Sequence, residues 1–375
     1  MFDFPMVESS IWTSLYCFCS YLSILGLNYK RVVVLPYSRF VREQSTKWLL
    51  FWISFFFVTQ CLRGDFFQFM KIVNEYNFIP GSYNYGEDVY VEIGKFVNKN
   101  YLLFRSIIWG GAFVLFCRTA KRMDVPVYYA VIFLFATHAI TFAYARVTAA
   151  MAVYFFGLSF LCKPLDRFKW IGFIIGALLI WFSREFHNSA LIMVIMTISL
   201  FVPLRKWIIV FLIISIPIIM LVMKDYLDFI AFANDDIIAK KIQGYTSKDE
   251  MEQGVAGVII RTCQNASFYI PFVLTTFCIF AKNNLATIPD SLIRLYKVMF
   301  GLVFVATVFF FLGSSFSVFF YRVLFMSMIP LSIIIPKLYL DGWMGRKYFY
   351  WCLMSGIIFL ILRYIYDVYI SYSMM

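Results

Sequence analysis

Charged residues are scarce in this chain of 375 residues: they make up 14% of the sequence, against about 25% in soluble domains. Hydrophobic residues make up 62%, and the mean hydropathy is +0.79. A soluble core could not enclose so much apolar surface, which excludes an ordinary soluble domain. The sequence therefore predicts an all-α, polytopic integral membrane protein, with residues 1–375 forming a single transmembrane domain.

Metal-binding and disulfide patterns are also missing. The chain has two histidines and eight cysteines, and no two cysteines have the C-x-x-C spacing of zinc and redox sites. The cysteines lie in or beside apolar segments, where a cysteine acts as a small apolar residue. We expect no metal site, no cofactor and no disulfide framework.

Apolar segments long enough to cross a bilayer recur along the chain. A spanning helix takes roughly 20 mostly apolar residues, and the pattern predicts about 12 such helices. The predicted spans lie near 11–27, 48–62, 102–117, 126–143, 147–162, 170–183, 189–203, 207–223, 257–280, 297–313, 323–336 and 349–366. Two longer interruptions, 63–101 and 224–256, are predicted to be outer-face loops.

The charged residues behind the net charge of +12 are distributed unevenly between the two sides of the predicted membrane. Lys and Arg outnumber acidic residues in every connection on one side of the predicted spans, beginning with residues 28–47, and acidic residues slightly outnumber them on the other. Basic connections stay in the cytoplasm, so this side is predicted to be cytoplasmic and both termini to lie outside. The positive charge therefore sets the topology and does not indicate a nucleic-acid partner.

Five arginines stand at the outer ends of predicted spans, where the bias for positive charge in the cytoplasm does not account for them. They are Arg63, Arg146, Arg184, Arg261 and Arg322. The planar guanidinium group suits bidentate contact with phosphate, so the five predict a site for a lipid diphosphate head, held as a ligand or as a leaving group. Ion pairs with Asp65 and Glu185, or snorkelling to lipid headgroups, are the alternatives.

Candidate bases and sugar-binding residues lie on the same side. His187, in the turn between the sixth and seventh spans, could take a proton from a hydroxyl group, because histidine titrates near neutral pH. Asp65, after the second span, is the other candidate base. Aromatic and acidic residues that suit carbohydrate follow in the first outer loop: Tyr83, Tyr85, Glu87, Asp88 and Tyr90.

In their order along residues 60–330, these outer-face motifs resemble the EpsG branch of the Wzy-like bacterial polysaccharide polymerases, which make O-antigen and exopolysaccharide. The motifs are Arg63-Gly64-Asp65-Phe66, Glu87-Asp88-Val89-Tyr90, Arg146-Val147-Thr148-Ala149-Ala150-Met151-Ala152, His187 to Leu191, and Tyr321-Arg322. The resemblance implies a helical bundle like that of GT-C glycosyltransferases, in the bacterial cytoplasmic (inner) membrane.

The resemblance also implies an activity. Such an enzyme transfers a growing glycan from undecaprenyl diphosphate to the terminal sugar of the next lipid-linked repeat unit, at the periplasmic or outer face, without a metal or a nucleotide sugar. The residues themselves suggest the same parts: we expect Arg146, Arg184, Arg261 and Arg322 to hold the diphosphate, and His187 or Asp65 to take the acceptor proton. A chain-length regulator and a flippase of the same pathway are expected partners, beside membrane lipid.

Two other classes of membrane protein compete with a polymerase. A flippase or transporter of lipid-linked sugars generally places ionisable residues near the bilayer midplane, often in repeated halves, and this chain has neither feature. An O-antigen ligase, or another exofacial transferase such as an acyltransferase, would share the outer-face chemistry. A ligase would use the same lipid diphosphate donor and a different acceptor.

Overall fold

The described part of the chain is helical. A computed structural model describes residues 88–98, 100, 103–104, 106–138, 145–166, 168–187, 189–203, 205, 215, 255–280, 287–311 and 317–373, and no strand occurs among them. In chain order the helices are α1 Asp88–Phe96, α2 Gly111–Arg122 (preceded by a π-helical turn, Ser106–Gly110), α3 Val127–His138, α4 Ala145–Cys162, α5 Lys169–Phe182, α6 Ala190–Met196, α7 Val255–Phe280, α8 Asp290–Phe311, α9 Ser317–Leu340 and α10 Arg346–Ser373. The prediction of an all-α fold is confirmed for these residues.

Within the described part of the chain, three helical segments are long and apolar enough to cross a membrane by length and composition: Thr262–Phe280, Asp290–Val308 and Val323–Leu340. Two shorter apolar helical segments, Val147–Cys162 and Ala190–Phe201, accompany them. All five overlap predicted spans, although Asp290–Val308 begins seven residues before the predicted span 297–313 and ends five residues before it ends. The total of 12 spans remains a prediction, because several predicted spans and most of both long outer loops lie outside the described residues.

Helices α4 and α5 form an antiparallel hairpin held by two glycines. A β-carbon on Gly157 would lie 2.9 Å from the backbone oxygen of Gly176, and one on Gly176 would lie 2.9 Å from the backbone oxygen of Gly157. Small residues at such a crossing allow two membrane helices to approach closely. The close crossing places the start of α4 at the same end of the bundle as the end of α5.

Helices α7, α8 and α9 form a second group. The hydroxyl groups of Tyr269 on α7 and Thr307 on α8 lie 2.9 Å apart, and the rings of Phe268 and Phe325 are 5.2 Å apart. The hydroxyl groups of Thr276 on α7 and Tyr296 on α8 also lie 2.8 Å apart, so a later position on α7 contacts an earlier one on α8. Helix α9 follows α8 after a short connection and packs along it. Helix α8 therefore runs antiparallel to both neighbours. Helix α9 is the most enclosed of the three candidate spans, with 83% of Val323–Leu340 buried inside the protein.

Hydrogen bonds from α8 show how the α7–α9 group is oriented relative to the α4–α5 hairpin. The guanidinium group of Arg294, in the second turn of α8, donates to the backbone oxygen of Leu161 at the end of α4, at 3.2 Å. Lys297 donates to the backbone oxygen of Leu200 at 3.3 Å. The start of α8 therefore lies beside the end of α4, so the end of α8 and the starts of α7 and α9 share the other end of the bundle with the start of α4.

Basic residues gather where α2 and α4 end and α8 begins, which we call the basic end. Arg122 donates through Nε to the Ser159 hydroxyl at 3.1 Å and through one terminal nitrogen to the backbone oxygen of Lys163 at 2.7 Å. Lys163 in turn pairs with Asp124 at 2.6 Å. These contacts link α2 to α4, and every residue in them belongs to a predicted cytoplasmic connection or the adjoining helix end.

Candidate functional site

Three of the predicted arginines lie near the start of a helix at the end opposite the basic end. Arg146 is the second residue of α4, Arg261 the seventh of α7 and Arg322 the sixth of α9. Phe268 and Phe325 are in contact and mark one level of the bundle. At a rise of about 1.5 Å per residue, the backbone of Arg261 lies about 10 Å, and that of Arg322 about 5 Å, further along its helix axis toward this end. Backbone topology thus brings residues far apart in sequence to one end of the bundle.

The helix that carries Arg146 is buried over its first turns. Ala149, Ala150 and Ala152 are almost fully buried, because α4 packs against α2, α5 and the turn that follows α5. Their small side chains permit this close packing on several sides. The start of α4 is therefore a rigid place from which to present an arginine.

The turn after α5 carries Arg184. Residues Ser183–Glu185 form a 3-10 helix, and the buried hydroxyl of Ser183 donates to the backbone oxygen of Ile180 at 2.6 Å. The guanidinium group of Arg184 lies 3.6 Å from the ring centroid of Trp181, and its Nε donates to Glu185 at 3.2 Å. The predicted pair with Glu185 is present, and the stacking and the ion pair together orient the guanidinium group.

His187 lies one turn further along, with a defined hydrogen-bonding state. Its Nδ1 accepts a hydrogen bond from the backbone N–H of Ser189 at 3.0 Å, and the Ser189 hydroxyl lies against the same nitrogen. A ring nitrogen that accepts carries no proton, so the neutral imidazole holds its proton on Nε2. In this geometry Nε2 is a donor, and the lone pair that a base would need is already engaged.

Tyr90 connects helix α1 to this turn. Its hydroxyl donates to the backbone oxygen of Phe186 at 3.1 Å, and the two rings meet edge to face at 6.1 Å. The side chain is 1% exposed. The hydrogen bond links Tyr90 to the backbone one residue before His187, and the expected role of Tyr90 along a sugar path stays a prediction.

A comparison with protein-family models assigns most of the chain to one family. A family model described as the EpsG family matches residues 65–374. The chain belongs to the EpsG family. This confirms the predicted resemblance and implies a polysaccharide-related polymerase. Searches of curated proteins and of solved structures found no significant match.

The family match covers most of the predicted site. Asp65 is the first matched residue of this EpsG-family chain, and Arg63 precedes the match. Several predicted residues lie outside the described part of the structure: Arg63, Asp65, Tyr83, Tyr85 and Glu87. Asp88 is the first residue of α1. Among the described residues no group of three His, Cys, Asp or Glu side chains could hold a metal ion, and metal independence remains a prediction.

The supporting residues of the EpsG-family site were not foreseen. Trp181 stacks on Arg184, Phe186 accepts from Tyr90, and Ser189 holds the imidazole of His187. Ser189 carried a local signal, because it lies two residues after a histidine at the start of a helix, where serine commonly bonds to nearby groups. No signal in the sequence pairs Phe186 with a residue 96 positions earlier.

Replacing Tyr90 by phenylalanine tests its link to the His187 turn. The change removes a part-buried hydrogen bond and keeps the ring, so we expect the free energy of unfolding to fall by about 0.5–1.5 kcal/mol and glycan transfer to slow. Thermal unfolding of the purified protein measures the first effect. Tyr348→Phe is the control, because its hydroxyl makes no hydrogen bond among the described residues while its ring is part-buried and contacts Phe277. Equal losses of stability in both variants would contradict the link between Tyr90 and the His187 turn.

Proposed function

We propose that this EpsG-family protein is a membrane glycosyltransferase that polymerises lipid-linked repeat units. It transfers the growing glycan from undecaprenyl diphosphate to the terminal sugar of the next unit, at the outer face of the bacterial cytoplasmic membrane. One observation carries the proposal: arginines from four separate elements, Arg146, Arg184, Arg261 and Arg322, lie at the end of the bundle opposite the basic end. Basic connections face the cytoplasm, so this arginine-bearing end faces outward.

The proposed role of the four arginines is to bind the diphosphate and to stabilise it as it leaves. Negative charge grows on the leaving oxygen in the transition state, and cationic donors already oriented toward it lower the barrier. Arg184 supports this role best, since Trp181 and Glu185 fix its guanidinium group before substrate arrives. Arg63 joins the set as a proposal resting on the sequence alone.

The transfer step needs a proton acceptor, and we assign it to Asp65. The bond from the anomeric carbon to the diphosphate oxygen breaks, and its electron pair leaves with undecaprenyl diphosphate. The acceptor hydroxyl oxygen forms the new glycosidic bond, and its proton passes to the carboxylate of Asp65. Tyr83, Tyr85, Glu87 and Asp88 are proposed to contact the sugars.

The hydrogen bond at Nδ1 changes the proposed role of His187. Because Nδ1 accepts from Ser189, the ring suits donation from Nε2 to the leaving diphosphate better than removal of the acceptor proton. No step in this scheme uses a metal or another cofactor. A flippase that delivers the units and a regulator of chain length are proposed partners.

Replacing His187 by glutamine distinguishes between two roles of this residue, as a hydrogen-bond donor or as a base that takes up a proton. The amide nitrogen of glutamine can occupy the place of Nε2 and donate, but it cannot take up a proton. We expect His187→Gln to keep activity within about tenfold of the native protein and His187→Ala to lose about 100-fold. The rate constant for transfer measures both. Ser189→Ala, which keeps the backbone donor, serves as the control, and an inactive glutamine variant beside an active Ser189→Ala would assign a base instead.

A reconstituted assay tests the function itself. The purified protein is supplied with lipid-diphosphate repeat units, without nucleotide sugar, and the products are sized on a gel. A ladder of lengthening glycans is expected. Movement of intact units across a vesicle membrane without a ladder would identify a flippase. Transfer of glycan only to added lipid A core would identify a ligase. Either outcome would overturn the proposal.

A further inference from the structure

A groove of about 560 Å³ opens at the basic end, between α4, α5, the 3-10 segment Thr197–Phe201 and α8. Its volume lies within the range of small-ligand sites. The groove lies at the end of the bundle opposite the proposed diphosphate site, so its ligand is separate from the polymerase substrate. Nothing in the proposed transfer reaction requires it.

The polar wall of the groove is cationic. It contains Lys169, Arg294 and Lys297 against a single carboxylate, Asp290. Arg294 pairs with Asp290 at 3.1 Å, but that pair is exposed, and exposed pairs contribute little. Among the described residues, Lys297 donates to a backbone oxygen and forms no ion pair, and Lys169 makes neither a hydrogen bond nor an ion pair. The wall therefore keeps an excess of positive charge.

The apolar wall of the groove is exposed. The exposed fractions of Trp170, Phe173 and Phe201 are 66%, 58% and 80%, and all three side chains line the groove. Aromatic residues of this kind occur at the boundary between headgroups and acyl chains. A ligand that fits both walls has an anionic head and an apolar tail.

We propose that this groove binds an anionic phospholipid of the leaflet at the basic end. The phosphate lies against Lys169, Arg294 and Lys297, and the acyl chains lie along Trp170, Phe173 and Phe201. The charge of the headgroup determines which phospholipid binds, because the cation of a zwitterionic headgroup would lie against the three cationic side chains of the groove. Juxtamembrane lysines and arginines attract the anionic lipids of the cytoplasmic leaflet in the same way.

Native mass spectrometry of the purified full-length protein tests the proposal, with phosphatidylglycerol and phosphatidylcholine as probes. The native protein is expected to retain phosphatidylglycerol and to bind it about tenfold or more tightly than phosphatidylcholine. The double variant Lys169→Gln, Lys297→Gln is expected to lose this preference by about tenfold or more. Lys347→Gln is the matched control: Lys347 is exposed near the start of α10 at the same end and does not line the groove.

Two results would overturn the proposal. One is equal retention of both lipids by the native protein, and the other is an equal loss of preference in the control. Amine labelling of Lys169 in lipid-free detergent adds a readout that does not depend on the variants. Labelling is expected, with protection once phosphatidylglycerol is added. A Lys169 protected before any lipid is added would mean that protein covers the groove and would also overturn the proposal.

Discussion

Replacing Arg146 or Arg322 by glutamine is expected to lower the rate constant for glycan transfer by about 100- to 1,000-fold, the usual effect of removing one oriented donor from a developing negative charge. The Michaelis constant for the lipid-linked donor is expected to change less, because charge on the leaving oxygen is greatest in the transition state. Lysine at either position is expected to restore part of the rate, since it keeps the charge and loses the planar fork.

The control for these variants is Arg346→Gln. Arg346 also stands at the start of a helix, as the first residue of α10, but it lies at the basic end. Its substitution is expected to leave the transfer rate within about twofold, in line with the small effects of surface substitutions. Size-exclusion elution and thermal unfolding of each variant show whether a lower transfer rate comes from a catalytic defect or from misfolding. Folded Arg146 and Arg322 variants that transfer at the native rate would contradict the diphosphate site.

Replacing Gly157 by alanine is expected to destabilise the protein, although alanine favours a helix by about 1 kcal/mol over glycine. The added β-carbon would lie 2.8 Å from the β-carbon of Leu179 and 2.9 Å from the backbone oxygen of Gly176. Helix α5 has to move away, at a cost of about 1–3 kcal/mol. Transfer should fall as well, because the same crossing positions Arg146 and Arg184. Thermal unfolding and the transfer rate measure the two effects.

Gly111→Ala is the matched control for the crossing. A β-carbon on Gly111, at the start of α2, would meet nothing within 4 Å, so helix propensity alone should act and stability should hold or rise. A stabilised Gly157→Ala variant would contradict the close contact between α4 and α5. Losses of equal size at both glycines would show that the crossing has no special role.

The described membrane helices were predictable from hydropathy. Predicted spans 147–162, 170–183 and 257–280 differ from α4 Ala145–Cys162, α5 Lys169–Phe182 and α7 Val255–Phe280 by no more than two residues at either end. Long apolar runs bounded by charged residues fix a membrane helix with little help from its neighbours. The charge bias also predicted which helix ends lie together, because it alternates with each crossing.

Helix α1 was not predicted, although its sequence carried the pattern. Asp88 stands at its start, where an acidic residue favours a helix, and Glu92 pairs with Lys95 at 2.7 Å. Its apolar residues follow helical spacing, with Tyr90 and Ile93 on the side that packs against the core. The aromatic and acidic composition of residues 63–101 predicts a loop, and the helical period of α1 extends over only nine residues of it.

Side-chain partners could not be predicted from the sequence. The pairing of Arg184 with the adjacent Glu185 is local and was foreseen. The bond from Tyr90 to the backbone of Phe186 depends on how α1 lies over the turn after α5, and no periodicity encodes that approach. The proton position on His187 likewise depends on the backbone of Ser189, which is why histidine alone suggested a base and the fold favours a donor.

The burial of α9 has a consequence for how the protein is made. Across the three candidate spans the hydropathy rises from 1.3 to 1.7 to 1.9 as the buried share rises from 39% to 50% to 83%, so the helix with least contact with lipid is the most apolar. Insertion during synthesis depends on the apolarity of each segment as it leaves the translocon. The composition of α9 therefore serves its passage into the bilayer, before neighbouring helices enclose it.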